Sequence, residues 1–530
     1  MEMEMESPSQ TLEVSRSSPA GKPTIRAIDL HFPAQGNADT THTYKQSVHR
    51  DLRSDWRTLN STLSLLRNHP VTRPIRLNAF LMNCVGHLAP GQWTAAGDRA
   101  VDYLSAAYWT DLARLLEKGL FEGVFLGDVL GAYDVYGSSA DAALRHAAQV
   151  PMNDPLAVIP LMSQVTEHLC FGVTCSLSYE HPYTFARRMS TLDHLTNGRI
   201  GWNIVTGYLD SAARNIGLDR QLSHDERYDL ADEYMEVCYK LWEGSWEDGA
   251  VIRDRERGIY TDPSKVHGIA HEGRYFKVPG FHMCEPSVQR TPVLFQAGSS
   301  GRGKQFAAQH AECVFVAAPT RGIVKHNVAD IRAAANTNGR DGSKQVLIFA
   351  MFTVVLGRTE EEAQAKLREY EQHASTEGAA ALLSGWTGID LSTYKSEDEL
   401  TYVDTNAGRS ALASFSSADP SRVWTVAEAV EYVSIGGRGP VIAGTPRQVA
   451  DEMQAWMDET DLDGFNLTYV SAHGTFQDVV ELLVPELQRR GVYRERYEPG
   501  SYREKLFEDA ARLPSNHPGA LHKRNTTAVG

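Results

Sequence analysis

Short apolar runs alternate along most of this chain with longer stretches in which apolar residues return every three or four positions. The runs Ile75 to Asn83, Gly123 to Asp128, Phe171 to Tyr179, Ile200 to Val205, Pro292 to Ala297, Cys313 to Ala318, Gln345 to Leu356 and Gly464 to Val470 read as buried strands. The intervening pieces read as helices: Asp102 to Lys118, Asp154 to Thr166, Tyr183 to Leu195, Asp225 to Trp242, Lys304 to Gln309, Ile323 to Ala335, Thr359 to His373, Pro446 to Met457 and Phe476 to Arg489. His224-Asp225 stands where a cap for the long Asp225 helix is expected. Parallel strands joined through helices predict the α/β class, a (β/α)8 TIM barrel with insertions. A doubly wound open sheet normally shows a glycine fingerprint after its first strand, and CVGHLAPGQW after Asn83 carries no G-x-G-x-x-G.

The alternation breaks in two places, near 245–290 and 374–438, which are read as insertions into a barrel spanning residues 76–495. Before it, residues 1–75 form an N-terminal extension, Ser, Glu and Pro rich and partly disordered at its start. That extension includes a strand-like piece at Thr24 to Leu30 and a helix-like one at Ser54 to Leu66. Residues 496–530 read as a tail.

Composition changes this picture only by exclusion. A hydrophobic content of 42% and a charged content of 22% are ordinary for a globular protein. The net charge of -15, with no Lys/Arg cluster, argues against a nucleic-acid partner. Six scattered cysteines without a C-x-x-C signal neither a disulfide framework nor a zinc site, and no metal is expected. No run reaches membrane-spanning length, and the acidic start MEMEMESPSQ is unlike a secretory leader, so a cytoplasmic location is expected.

Candidate chemistry gathers where the strands end, the rim at which parallel barrels place their active sites. Thr174, Ser176 and Ser178 end one strand, and Asn203 and Thr206 its neighbour. Gln296 to Lys304, QAGSSGRGK, follows a strand and opens a helix: small residues permit close approach, and free N–H groups favour an anion such as phosphate. A serine N-cap on an ordinary turn explains this motif equally well. The near match to a P-loop fails because Gln305 replaces the Mg²⁺-binding Ser or Thr. Asp128 with Tyr133, and His87 past the first strand, lie at the same rim, though each alone reads as readily as a structural residue. His267 and His271 have metal-like spacing, but Gly268 weakens a helix between them, and they are read as structural.

Taken together, LNAFLMNCVGH, FLGDVLGAYD, NDPLAVIP, HPYTFARRMSTLDHLTNGRIGWNIVTG, HDERYDLADEYMEVCYKLW, DPSKVHGIAHEGRYFKVPG, LFQAGSSGRGKQFAAQHAE and GTPRQVADEM resemble the bacterial luciferase-like flavin monooxygenases. The similar branch includes nitrilotriacetate monooxygenase component A, dibenzothiophene-sulfone monooxygenase and a long-chain alkane monooxygenase. The resemblance implies FMN, used as FMNH2, with Asp128, Thr174 and Asn203 at the flavin ring and Tyr228, Gly298, Ser299 and Ser300 at its phosphate. It also implies catalytic roles for His87, as proton donor or peroxide stabiliser, for Tyr133 beside it, and for Tyr208 facing the substrate. The implied reaction passes one oxygen atom of O2 to a small organic substrate through a peroxyflavin, with a separate NAD(P)H:flavin reductase as partner and a homo-oligomeric assembly. A non-catalytic FMN-storage barrel and a deazaflavin-dependent oxidoreductase are the alternatives. One departure is Trp386 in Ser384 to Asp390, SGWTGID, where sulfone-oxidising relatives carry a histidine. Tryptophan cannot transfer a proton as histidine can, so an aromatic wall in the substrate pocket is expected there.

Overall fold

Each of the eight expected strands forms in the computed structural model, which describes residues 73–524 other than Ser299, together with the strands Leu12–Ser15 and Thr24–Ile28. They are β1 (Arg76–Met82), β2 (Gly123–Gly127), β3 (Cys170–Ser176), β4 (Ile200–Val205), β5 (Val293–Gln296), β6 (Cys313–Val316), β7 (Leu347–Leu356) and β8 (Gly464–Thr468). Each pairs in parallel with the next, and β8 pairs with β1, so the ring is closed as a (β/α)8 barrel. A further strand, Val441–Gly444, which the apolar pattern did not reveal, extends along the far end of β7. Leu12–Ser15 and Thr24–Ile28 pair antiparallel within a separate unit, Met1–Thr72. The helix-like piece and the disorder expected in that extension lie outside the described residues.

Three helices position the site. The first, α1 (Pro182–Leu195), starts with Pro182 in its first turn, and the His181 ring accepts the Tyr183 N–H at 3.2 Å, so this histidine is a cap. Next, α2 (His224–Gly244) begins differently from the expectation: Ser223 is its N-cap, without a side-chain hydrogen bond, and the His224 ring instead meets Asp225 at 2.7 Å. The third, α3 (Gly301–His310), follows β5. The expected helix Phe476 to Arg489 is interrupted by a π-helical turn, Val479–Leu483, just ahead of Pro485, which lacks the N–H that a continuous α-ladder requires.

Glycines on adjacent strands decide how the barrel interior fills. A Cβ on Gly172 would come within 2.8 Å of the Phe125 ring, and one on Gly201 within 2.5 Å of Phe295. The rings occupy that space: Phe125 meets Phe315 edge-on at 4.0 Å, and Phe295 stacks on Phe315 at 5.5 Å. The result is an aromatic plug that closes the barrel below its C-terminal rim. Its lower side is sealed by a helix, Tyr502–Phe507, lying in the stretch read from the sequence as a tail. Arg503 of that helix donates to both carboxylate oxygens of Glu312 at 2.6 and 2.8 Å, with both side chains buried.

The two breaks in the pattern carry structure of their own. Within 245–290, two small hairpins form, Val251–Asp254 with Ile259–Thr261 and His271–Glu272 with Lys277–Val278. Within 374–438 lie α4 (Thr376–Thr387) and the helices Arg409–Ser414 and Val426–Val433, packed around Leu383, Leu391, Phe415, Trp424 and Val430. The sequence hid α4 because it is buried almost all round, which erases the polar stripe that a periodic pattern needs.

Candidate active site

A cavity of ≈ 350 Å³ opens above the aromatic plug, with Phe80, Phe125 and Phe315 as its apolar floor. This volume falls within the range of small-molecule sites. On its wall, Thr174 of β3 and Asn203 of β4 are register partners, so both side chains reach the same face. Asn203 Nδ2 donates to Thr174 Oγ1 at 2.9 Å, while Asn203 Oδ1 is buried without a partner. Ser176, two residues beyond Thr174 and on the same face, also has an unpartnered Oγ. Ser178 turns away: its hydroxyl donates to the Thr206 carbonyl at 2.7 Å and ties the two strand ends together. Asp128 follows β2 into the lining, and burial together with the nearby Asp154 pushes its pKa up to about 7.

The segment after β5 turns tightly into the N-terminus of α3. Gln296 Oε1 accepts the Gly298 N–H at 2.7 Å, and Ser300 caps α3 by accepting the Gly303 N–H at 3.1 Å. The other first-turn amides of α3 have no partner inside the helix and point where an anion is favoured. Tyr228, from α2, closes over this turn so tightly that a Cβ on Gly298 or Gly303 would lie 2.8 Å from its hydroxyl oxygen. His224 Nε2 meets Ser300 Oγ at 3.2 Å, and Arg302 lies over the Tyr228 ring. Burial raises the Tyr228 pKa, so it offers a neutral hydroxyl. Ser299 lies outside the described residues.

Across the floor, three aromatic side chains share a hydrogen-bonded chain. Tyr133 Oη donates to Gln149 Oε1 at 2.7 Å, lies 2.8 Å from Tyr208 Oη, and accepts Trp386 Nε1–H at 3.2 Å. Gln149 Nε2 donates to the His87 carbonyl at 2.9 Å, which fixes the amide's orientation. His87 is buried against Phe80, its Nδ1 has no partner, and burial lowers its pKa to about 3. Tyr208 is pushed up to about 12 by burial, an effect opposed by Tyr133 and by Arg438. Trp386 is held there by α4, whose Gly385 sits so close that an added Cβ would lie 2.1 Å from the Tyr133 ring.

The structure thus brings His87, Asp128, Tyr133, Thr174, Asn203, Tyr208, Tyr228, Gly298 and Ser300 to one cavity. His267 and His271 lie elsewhere, against Glu247 and Glu233, and among the described residues no cluster with metal-ligand geometry exists. Sequence reasoning missed Gln149 and Arg438. Gln149 adopts φ +55, an uncommon conformation for a residue with a side chain, which no local pattern announces. The signal available for Arg438 was its place among Gly436, Gly437 and Gly439.

A family model described as luciferase-like monooxygenase matches residues 80–463. The chain is 49% identical over 450 residues to dimethyl-sulfide monooxygenase of Hyphomicrobium sulfonivorans, covering 85% of this chain and 94% of that one. It is 51% identical over 460 residues to long-chain alkane monooxygenase of Geobacillus thermodenitrificans, covering 87% of this chain and 100% of the relative. Among solved structures, a riboflavin lyase with modified FMN and substrate riboflavin superposes with a TM-score of 0.80 at 36% identity, over 86% of this chain and 100% of the other.

Proposed function

From the premise that this chain belongs to the luciferase-like monooxygenase family, we propose that it is the oxygenase of a two-component system. It binds reduced FMN in the rim cavity and uses O2 to oxygenate a small organic substrate. The observation that carries this reading is the convergence of the Thr174–Asn203 pair, the α3 anion cradle and the Tyr133–Tyr208 pair on one cavity with an aromatic floor. The residues fit the cofactor. Asn203 Oδ1 and Ser176 Oγ are buried acceptors or donors in need of a polar partner, as a flavin ring edge supplies, and the α3 amides with Tyr228 suit its phosphate.

When bound, reduced flavin supplies the two electrons with which O2 is divided between product and water. The protein's part is orientation, exclusion of water and control of protons. Because the Tyr133 hydroxyl donates its hydrogen bond to Gln149 Oε1, the Tyr133 oxygen accepts from Tyr208, and Tyr208 presents its lone pairs to the cavity. With its ring neutral at physiological pH, His87 acts as a hydrogen-bonding partner through Nδ1 rather than as a charged acid. The six free cysteines suit a reducing compartment, consistent with a cytoplasmic site of action, and no helix among the described residues is long and apolar enough to cross a membrane.

The test supplies the protein with FMN, a separate NAD(P)H:flavin reductase and ¹⁸O₂, with a substrate panel that includes dimethyl sulfide and long-chain alkanes, named for its relatives, and small carboxylates beside them. One ¹⁸O atom in the product, dependent on reductase, is the expected result. Tyr133→Phe should lower coupled product formation by about 10²-fold while FMN affinity stays within about 3-fold. Absence of FMN binding, or peroxide release without labelled product across a broad substrate panel, sinks the reading.

A further inference from the structure

Arg438 lines the cavity, yet among the described residues it forms neither a hydrogen bond nor an ion pair, and its Nη1 is shielded from solvent with no partner. An unpaired guanidinium in such a place is costly, so a folded protein that keeps one has a use for the charge. The local backbone is built to hold it there. Gly436 and Gly437 adopt φ of +78 and +67, a region that side chains disfavour. A Cβ on Gly436 would lie 2.4 Å from Thr353 Oγ1, and one on Gly439 2.5 Å from the Met351 carbonyl oxygen. Only glycines on both sides let this loop press onto the middle of β7 and present the arginine to the cavity.

The Gly436 N–H donates to the Leu88 carbonyl at 2.8 Å, which sets this loop beside His87, whose own carbonyl holds Gln149 and through it Tyr133. Tyr208 and Tyr133 act on the Arg438 charge, whereas Arg227 and Arg302 act on Tyr228 at the α3 turn. Arg438 therefore stands at the Tyr208 end. Asp128, the carboxylate of the same cavity, owes its shift to burial and Asp154 and is not its counter-ion. Tyr208 and Tyr133 act on the guanidinium only as neutral hydroxyls, and neutral dipoles do not balance a full charge.

We propose that Arg438 is a specificity-determining residue that binds an oxyanion on the substrate, a carboxylate first of all, at the Tyr208 end of the cavity. This rests on the monooxygenase reading, which defines that end as the substrate side. The guanidinium fork matches a carboxylate with two parallel N–H···O bonds, and the surrounding apolar wall strengthens them. A neutral substrate would leave the charge unpaired.

The experiment titrates FMN-loaded protein calorimetrically with hexanoate and with hexanamide, its neutral isostere. The native protein should bind hexanoate at least 10-fold more tightly than hexanamide. Arg438→Gln should erase that preference without changing hexanamide binding, and Arg438→Lys should retain part of it. If Arg438→Gln is poorly folded, the lysine variant carries the test, since loss of all preference in a well-folded lysine protein argues against a charge effect. Equal binding of the two probes by the native protein overturns the proposal. So does an Arg438→Gln protein that loses affinity for FMN but not for riboflavin, because the cation would then serve the cofactor's phosphate. Failure to bind FMN at all is a different result, against the monooxygenase reading itself.

Discussion

Asp128 and His87 share one cavity, and burial moves their pKa values in opposite directions for a single reason: low polarity penalises whichever form is charged. For Asp128 the folded value of about 7 stands above the ordinary 3.8, so between those limits the folded chain holds a proton that the unfolded chain has lost. Stability from this group is full below pH 4 and is lost as pH rises through 7. The flavin-free native protein should therefore lose more melting temperature between pH 5 and pH 7.5 than Asp128→Asn does. Parallel thermal scans of the two proteins check this, and identical slopes would contradict it. His87 acts with the opposite sign, lowering stability as pH falls below 6.5, and comparison with Asp128→Asn at each pH cancels its effect. At this scale Thr174, Asn203 and Asp128 were legible because strand ends can be located from apolar runs. Gln149 and Arg438 were not, since their places depend on loops whose course no periodicity records.

The β5–α3 connection is the element most fully written in the sequence. Its glycines and serines after a strand predict close approach and an N-terminal anion site, and the structure shows Gly298 with no room for a side chain, 2.3 Å from Gln296 Nε2 for an added Cβ. Gly298→Ala should displace Gln296 or Tyr228 and weaken FMN binding about 10-fold or more, with a smaller effect on riboflavin, which lacks the phosphate. Fluorescence titration with both flavins reads the difference, and equal losses would mean that the cradle does not hold phosphate. In contrast, α4 left no periodic signature, although it supplies Trp386 and, through Gly385, the close packing on Tyr133. The aromatic wall expected at Trp386 is present, and its indole N–H also fixes the Tyr133 oxygen as an acceptor, a role that residue type alone did not disclose.

At the scale of the whole molecule, the barrel is closed at one end by chemistry remote from the site. Removing the cation of the Arg503–Glu312 pair in Arg503→Ala strands a buried carboxylate and should cost about 3–5 kcal/mol in chemical denaturation, with the cavity residues untouched. A change within experimental error would show that the C-terminal helix is dispensable as a seal. The sequence by itself determined the eight strands, their parallel connection, the gathering of polar side chains at the strands' C-terminal rim and the Gly/Ser turn that opens α3, because each follows from local periodicity, glycine placement and chain direction. Only the tertiary structure decided which loop residues share the cavity, because that depends on how the 374–438 insertion folds back over the rim. It alone set Trp386 against Tyr133, gave Gln149 its orientation and left Arg438 lining the cavity without a counter-charge among the described residues.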